Sequence, residues 1–174
     1  MVCSKFYLRL PLSTRYYTKA MHNLIRTVTS DSPEQTEAIG AQIGAKLRGG
    51  ETIELISDLG GGKTTLVHGL ASGLGSSDAV ASPSFTISRQ YQAGKLTMYH
   101  FDFYRLTEPG IMANELAEIL PDPQAIIVIE WGTIVENVLP GERLTIRLES
   151  PAESERKITL SCPAKLSYLL PKEG

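Results

Sequence analysis

The sequence contains little cysteine and no long apolar run, and both absences narrow the class of protein. Its two cysteines, Cys3 and Cys162, lie far apart and fit neither a C-x-x-C motif nor a disulfide framework, so we expect reduced thiols in a cytoplasmic protein. No segment of about 18 apolar residues occurs, so we expect no membrane-spanning helix. A chain of 174 residues, of which 42% are hydrophobic, is typical of one domain with an ordinary core.

Acidic residues are absent from the first 30 positions, which carry five basic residues. The rest of the chain therefore holds 12 basic and 19 acidic residues, a net charge of −7. An acidic body binds a nucleic-acid backbone poorly by itself, because that affinity needs clustered positive charge. If RNA is involved, we expect a partner to hold it.

The basic leader is set apart from the rest of the chain by its composition. Its Tyr, Ser and Thr content fits an organelle transit peptide, but it lacks an apolar stretch long enough for secretion. An over-extended start, with Met21 as the true first residue, and a cloning-derived tail are the alternatives. We expect residues 1–22 to be a disordered leader and residues 23–174 to form a single domain.

Three helices are predicted from caps and apolar spacing. The first begins at "SPEQ" (32–35), where a Ser N-cap is followed by Pro at the first helical position and Gln at the capping-box position. Apolar residues then recur every four positions until Gly49-Gly50, which is expected to stop the helix. A second helix is predicted from about Gly62 to residues 73–75, and a short third helix over about 112–120.

Strands are predicted between these helices. "TIELIS" (52–57) is short and β-branched, "KLTMYHFDFY" (95–104) alternates, and "AIIVIEW" (125–131) is continuously apolar, as in a central parallel strand buried on both faces. "RLTIRLE" (143–149) and "RKITLS" (156–161) alternate and suit an antiparallel hairpin at the sheet edge. Strands alternating with helices predict an α/β sandwich with a mostly parallel sheet.

The run "SDLGGGKT" (57–64) nearly matches the phosphate-binding pattern G-x-x-x-x-G-K-[ST]. Its three glycines allow backbone N–H groups to turn toward phosphate oxygens, and the positive end of the following helix adds to the site. Lys63 supplies a cation for the β- and γ-phosphates, and the Thr64 hydroxyl is a magnesium ligand. Ser57 departs from the opening glycine, but serine is small, so we expect the loop to tolerate it, with a changed entry geometry or weaker binding. The alternative is a glycine-rich turn without a ligand.

A magnesium site also needs a carboxylate near the loop. Glu130 ends the most apolar strand, the usual place for such an acid. Asp102, inside the aromatic "YHFDFYRL", is the second candidate. The alternatives are a solvated strand end for Glu130 and a structural ion pair with Arg105 for Asp102.

"DLGGGKTTL", "SPSFTI", "YHFDFYRL" and "IEW", in this order, resemble the TsaE family of small P-loop ATPases of bacterial tRNA threonylcarbamoyladenosine synthesis. The resemblance covers residues from about 31 to 150. It implies a P-loop NTPase-like three-layer sandwich with a mostly parallel central sheet and antiparallel C-terminal edge strands. Departures are Ser57, Gly61 for the commoner alanine, Phe103 for leucine, and a missing Leu-Gly step in "GIMANELAEIL" (110–120).

The resemblance also implies site residues. "SPSFTI" (82–87) would be a switch-like segment that senses the γ-phosphate, Thr36 would lie by the base, and Trp131 would lie near the nucleotide, with core packing as its alternative. The implied nucleotide contacts are Thr36, Asp58, Leu59, Gly60, Gly61, Gly62, Lys63, Thr64, Thr65, Thr86 and Trp131. The implied magnesium ligands are Thr64, Asp102 and Glu130, and the implied catalytic residues are Lys63, Asp102 and Glu130.

The function that the resemblance implies is ATP binding and slow, Mg²⁺-assisted ATP hydrolysis in the service of a complex. TsaE proteins act on the TsaD–TsaB heterodimer, in which TsaD makes N6-threonylcarbamoyladenosine at position 37 of tRNAs that read codons beginning with A. Hydrolysis would reset or enable turnover, while the threonylcarbamoyl transfer is made by TsaD. Two alternatives stay open, a small-molecule kinase and a nucleotide-binding module that does not hydrolyse its ligand.

Overall fold

The computed structural model describes residues 23–171 and contains one sheet with helices on both faces. The leader predicted for residues 1–22 lies outside the described residues. The strands are β1 (Leu24–Ser30), β2 (Thr52–Ile56), β3 (Ser88–Ala93), β4 (Leu96–Asp102), β5 (Ala125–Glu130), β6 (Leu144–Glu149) and β7 (Arg156–Cys162). The helices are α1 (Pro33–Gly44), α2 (Lys63–Leu74) and α3 (Gly110–Ile119), with 3₁₀ turns at Gly132–Val135 and Ala164–Leu169.

The sheet has the strand order β1-β7-β6-β2-β5-β4-β3. Its four central strands, β6, β2, β5 and β4, are parallel, and antiparallel strands flank them on both sides. The predicted α/β class with a parallel centre and antiparallel C-terminal strands is confirmed. The β6–β7 hairpin is not at the edge, however, because β1 pairs with β7 and β6 pairs in parallel with β2.

Strand β5 explains the three layers. All six of its residues are buried, and its side chains alternate between two cores. Ile126 and Val128 pack on the side of α1 and α2, whereas Ile127 and Ile129 pack on the side of α3. The continuous apolar pattern thus reflects burial on both faces.

Both ends of α1 show how local polar contacts set its length. The predicted N-cap is present, since the Ser32 hydroxyl accepts from the Gln35 N–H at 3.2 Å. The predicted stop at Gly49-Gly50 is wrong by several residues, because α1 ends at Gly44. The Glu51 carboxylate accepts from the N–H groups of Arg48 and Gly49 at 2.9 and 2.8 Å, and thereby holds a turn where the helix would have continued.

Helices α1 and α2 pack backbone to backbone through glycines. A Cβ on Gly40 would lie 2.4 Å from the Leu66 carbonyl oxygen, and one on Gly44 would lie 2.2 Å from that of Leu70. From α2, a Cβ on Gly69 would lie 2.0 Å from the Glu37 carbonyl oxygen. The contacts advance in the same direction along both helices, from Gly40 and Leu66 to Gly44 and Leu70. The two helices are therefore parallel and begin at the same end of the domain.

Two expectations about the chain as a whole concern membranes and thiols. No helix within residues 23–171 is long and apolar enough to cross a membrane. Cys162 is a buried free thiol, and burial raises its pKa, which favours the inert protonated form. Cys3 lies outside the described residues.

We predict that Gly69→Ala lowers the free energy of unfolding by about 1–3 kcal/mol, because the added methyl group must push two helix backbones apart. Gly141→Ala is the matched control, since a Cβ there meets nothing within 4 Å. Urea denaturation of both variants measures the difference. Equal stability of the two variants would show that the helices separate at no cost.

Candidate functional site

The segment between β2 and α2 has the backbone of an anion-binding turn. Gly60 and Gly62 have φ angles of 75° and 99°, which only glycine adopts at little cost. Gly62 caps α2 without any side-chain hydrogen bond to the first turn. The positive end of α2 is therefore open to an anionic ligand, as the glycine-rich pattern predicts.

A cleft of about 290 Å³, here called the phosphate-loop cleft, lies over this turn. It is lined by residues 59–65 together with Ser82, Ser84, Asp102, Glu130 and Trp131. The structure thus brings most of the predicted site residues together, including Leu59, Gly60, Gly61, Gly62, Lys63, Thr64 and Thr65. Ser57 does not line this cleft; it faces a separate cavity of about 630 Å³.

Lys63 is a nearly buried cation with several oxygen partners. Its Nζ donates to the main-chain carbonyl of Asp58 at 3.1 Å and to that of Ser57 at 3.4 Å. Glu130 Oε2 lies 3.7 Å away, and the ring centroid of Trp131 lies 5.1 Å away. An ammonium group that is only 6% exposed needs such partners, because burial of an unpaired charge is costly.

Glu130 is held by a histidine that the sequence analysis did not single out. His100 is fully buried, and its Nε2 lies 2.9 Å from Glu130 Oε1. Within residues 23–171 its Nδ1 has no hydrogen-bond partner. The sequence could have predicted this position, because His100 lies two residues before Asp102 on one strand and side chains two residues apart face the same side of a sheet.

Asp102 and Glu130 end adjacent parallel strands and are paired in register. The Ser84 hydroxyl donates to one oxygen of Asp102, and the Tyr104 N–H donates to the other at 3.0 Å. The alternative ion pair with Arg105 is not observed among the described residues. The guanidinium of Arg105 instead stacks on the Phe85 ring at 4.2 Å.

These groups fit a magnesium ion that arrives with phosphate. Among residues 23–171, no cluster of three or more His, Cys, Asp or Glu side chains has the arrangement of a self-sufficient metal site. Two carboxylates and the Thr64 hydroxyl do border the phosphate-loop cleft. Mg²⁺ commonly takes one or two protein carboxylates and fills its remaining positions with water and substrate phosphates. The magnesium ligands remain a prediction.

Backbone strain also concentrates around the cleft. Within the described part of the chain, Ile87 and Trp131 are the non-glycine residues with positive φ, at 66° and 58°. Ile87 ends the switch-like segment, and Trp131 lines the cleft and packs on the Tyr104 ring with centroids 5.1 Å apart. Such conformations cost energy and cluster at functional sites. Trp131 therefore both packs and borders the cleft.

Thr36 lies beside the loop in a second cleft of about 340 Å³, which it shares with Gly62 and Thr65. Its hydroxyl lies 2.8 Å from that of Ser30, so its base contact remains a prediction. Arg156, which the sequence analysis missed, also lines this cleft.

Two further contacts concern the loop and the switch-like segment. Arg156 Nε donates to the Gly61 carbonyl at 3.2 Å, and no motif in the sequence signals this long-range contact. Thr86 does not line the phosphate-loop cleft, and its hydroxyl lies 3.5 Å from the Pro83 carbonyl. The nucleotide contact of Thr86 therefore stays a prediction.

Several known proteins with similar sequences are described as TsaE. A family model described as "Threonylcarbamoyl adenosine biosynthesis protein TsaE" matches residues 30–158. The tRNA threonylcarbamoyladenosine biosynthesis protein TsaE of Bacillus subtilis (strain 168) is 36% identical over 146 residues, which are 82% of this chain and 89% of that protein. The protein with the same description from Treponema pallidum (strain Nichols) is 37% identical over 132 residues, or 76% of this chain and 97% of its own.

A solved protein structure is similar to this chain in both fold and sequence. The crystal structure of Bacillus subtilis YdiB matches with a TM-score of 0.70 and 32% sequence identity, over 85% of this chain and 93% of that one. The fold around the candidate site is therefore similar to that of a solved protein.

We predict that Ser84→Ala loosens the switch-like segment (82–87), because it removes the hydroxyl that ties this segment to Asp102. A hydrogen bond to a charged group contributes about 1.5–3 kcal/mol, so amide hydrogen exchange at Thr86 and Ile87 should rise about tenfold or more. Ser84→Thr keeps the hydroxyl and is the control. Unchanged exchange in Ser84→Ala would contradict a role of this contact in holding the segment.

Proposed function

This chain belongs to the TsaE family of tRNA threonylcarbamoyladenosine biosynthesis proteins, and on that premise we propose that it binds ATP with Mg²⁺ and hydrolyses it slowly. Hydrolysis serves a complex of TsaD and TsaB homologues, and it resets or enables turnover while TsaD transfers the threonylcarbamoyl group. The observation that carries this proposal is the convergence of the glycine turn, Lys63 and two strand-end carboxylates on one cleft.

The polar groups around the cleft support nucleotide binding with a metal. The open first turn of α2 and the Lys63 ammonium favour phosphate charge. Thr64, Asp102 and Glu130 would hold Mg²⁺, which supplies charge neutralisation to the phosphates when bound. Both carboxylates are nearly buried, at 4% and 3% exposure, and a cation would stabilise them there.

Different residues of this chain have different roles in the proposed hydrolysis. Lys63 and the loop amides offset the negative charge that develops on the transferred phosphoryl group. His100 fixes the orientation of the Glu130 carboxylate through the 2.9 Å contact. Ser84 links the switch-like segment to Asp102, so a change at the phosphates can reach Phe85 on the surface.

Exposed apolar side chains beside the cleft support a partner. Phe85 is 83% exposed, Leu59 65% and Tyr104 47%, and each belongs to a segment that borders the cleft. Their position at the border of one cleft is consistent with a contact surface for a protein partner. The net charge of −7 outside the first 30 residues is consistent with tRNA being held by the partners. A cytoplasmic location fits the free thiol of Cys162 and remains part of the proposal.

We predict Mg²⁺-dependent release of phosphate from ATP that is slow for the free protein and faster with TsaD and TsaB homologues. Lys63→Ala should lower kcat/KM about 100-fold or more, because it removes a charge aimed at the transition state. Lys95→Ala is the control, since Lys95 is exposed in the turn between β3 and β4. A colorimetric phosphate assay measures both variants.

Three results would contradict this prediction. Rapid hydrolysis indifferent to the partners would remove the accessory role. Phosphorylation of a metabolite in place of water would favour the kinase alternative. Nucleotide binding without any phosphate release, with and without partners, would favour a non-hydrolysing module.

The proposed role in tRNA threonylcarbamoyladenosine synthesis can be tested by reconstitution. With TsaD and TsaB homologues, tRNA and the threonylcarbamoyl donor, we expect modified adenosine to accumulate over many turnovers only when this protein and ATP are present. Lys63→Ala should leave a single turnover of the complex largely intact and stop later ones. Mass spectrometry of digested tRNA measures the product. Equal multiple-turnover yield without this protein would refute the role.

A further inference from the structure

We infer that Ser57 and Gly61 form a matched pair that positions the phosphate loop, with Ser57 as a positioning residue for nucleotide binding. The inference deepens the proposed function and rests on it. Ser57 and Gly61 each depart from the phosphate-loop sequence of the TsaE family, and the two departures act as one unit.

A side chain at position 61 would occupy the place of the Ser57 hydroxyl. A Cβ on Gly61 would lie 1.8 Å from the Ser57 hydroxyl oxygen and 3.2 Å from the Ser57 Cβ. Gly61 itself does not have a positive φ, unlike Gly60 and Gly62. A side chain at position 61 would therefore be opposed less by its own φ than by the Ser57 hydroxyl, which would have to rotate out of its place beside Asp58.

The Ser57 hydroxyl has a specific partner in the loop. It donates to the Asp58 carbonyl at 2.9 Å. The same carbonyl accepts from Lys63 Nζ at 3.1 Å and from the Gly61 N–H at 3.2 Å. Three donors thus share one oxygen that has two lone pairs.

This shared carbonyl connects Ser57 to the position of Lys63. The ammonium group has three N–H donors, and two of them face the carbonyls of Ser57 and Asp58, which leaves one for a phosphate oxygen. The Ser57 hydroxyl holds the Asp58 carbonyl from the other side. Ser57 therefore helps to fix the loop oxygen against which Lys63 is oriented.

The pair predicts how single and double substitutions differ. Gly61→Ala drives the Ser57 hydroxyl away from Asp58 and distorts the loop. Ser57→Gly removes the hydrogen bond but leaves the space open. In the double variant the two contacts with the Ser57 side chain are gone, and the contact of the new methyl group with the Asp58 carbonyl oxygen, at 3.2 Å, remains.

The test is a double-mutant cycle read by titration calorimetry with Mg·ADP. Gly61→Ala should weaken binding at least about tenfold, Ser57→Gly about threefold, and the double variant should bind within about fivefold of the original protein, which is non-additive. The KM for Mg·ATP should follow the same order, because the pair acts on the loop that holds the phosphates. Gly141→Ala serves as the control for a glycine distant from the loop.

Several outcomes would overturn the pairing. If Gly61→Ala binds normally, or if the double variant is as weak as Gly61→Ala, the two positions are independent. If Gly61→Ala fails to fold, a folded and binding double variant still supports the pair, and an unfolded one refutes it. If the original protein binds no nucleotide, the proposed function fails. The pair is then judged by thermal melting, in which Ser57→Gly should restore the stability that Gly61→Ala removes.

Discussion

The close contact between α1 and α2 fixes the geometry on which the candidate site depends. Gly40 and Gly44 on one helix and Gly69 on the other let carbonyl oxygens approach where a Cβ would otherwise sit. Because the helices are parallel, their N-termini lie together, next to the end at which β2 runs into the phosphate loop. The turn before Lys63 and the cleft beside Thr36 are thus placed by backbone packing, which side-chain motion does not readily disturb.

Around that fixed frame, each charged group of the site has a partner within the chain. Lys63 is held by carbonyl oxygens and Glu130, Glu130 by His100, and Asp102 by Ser84. Charges this deeply buried would destabilise the fold without such contacts. A ligand in this cleft would therefore exchange one set of polar contacts for another, at Lys63 on the loop and at the carboxylate to which Ser84 is tied.

The sequence predicted best where a pattern is local. The apolar run of β5 and the glycine-rich turn before Lys63 each follow from neighbouring residues, and both are observed. Strand β1 was missed because it is mostly exposed and pairs with β7 more than 100 residues later. Arg156 and its contact with Gly61 were missed for the same reason, since nothing near either residue encodes the other.

Long-range contacts also explain which groups the two cations near the loop, Arg156 and Lys63, interact with. Arg156 donates to the carbonyls of Gly61, Glu153 and Glu155, and Lys63 is buried beneath the cleft. Both cations therefore contact carbonyl oxygens of the phosphate loop. With an acidic body around them, the charge arrangement suits a protein that binds a small polyanion itself and depends on others to hold a large one. This division of charge connects the chemistry of one cleft to a place in tRNA modification.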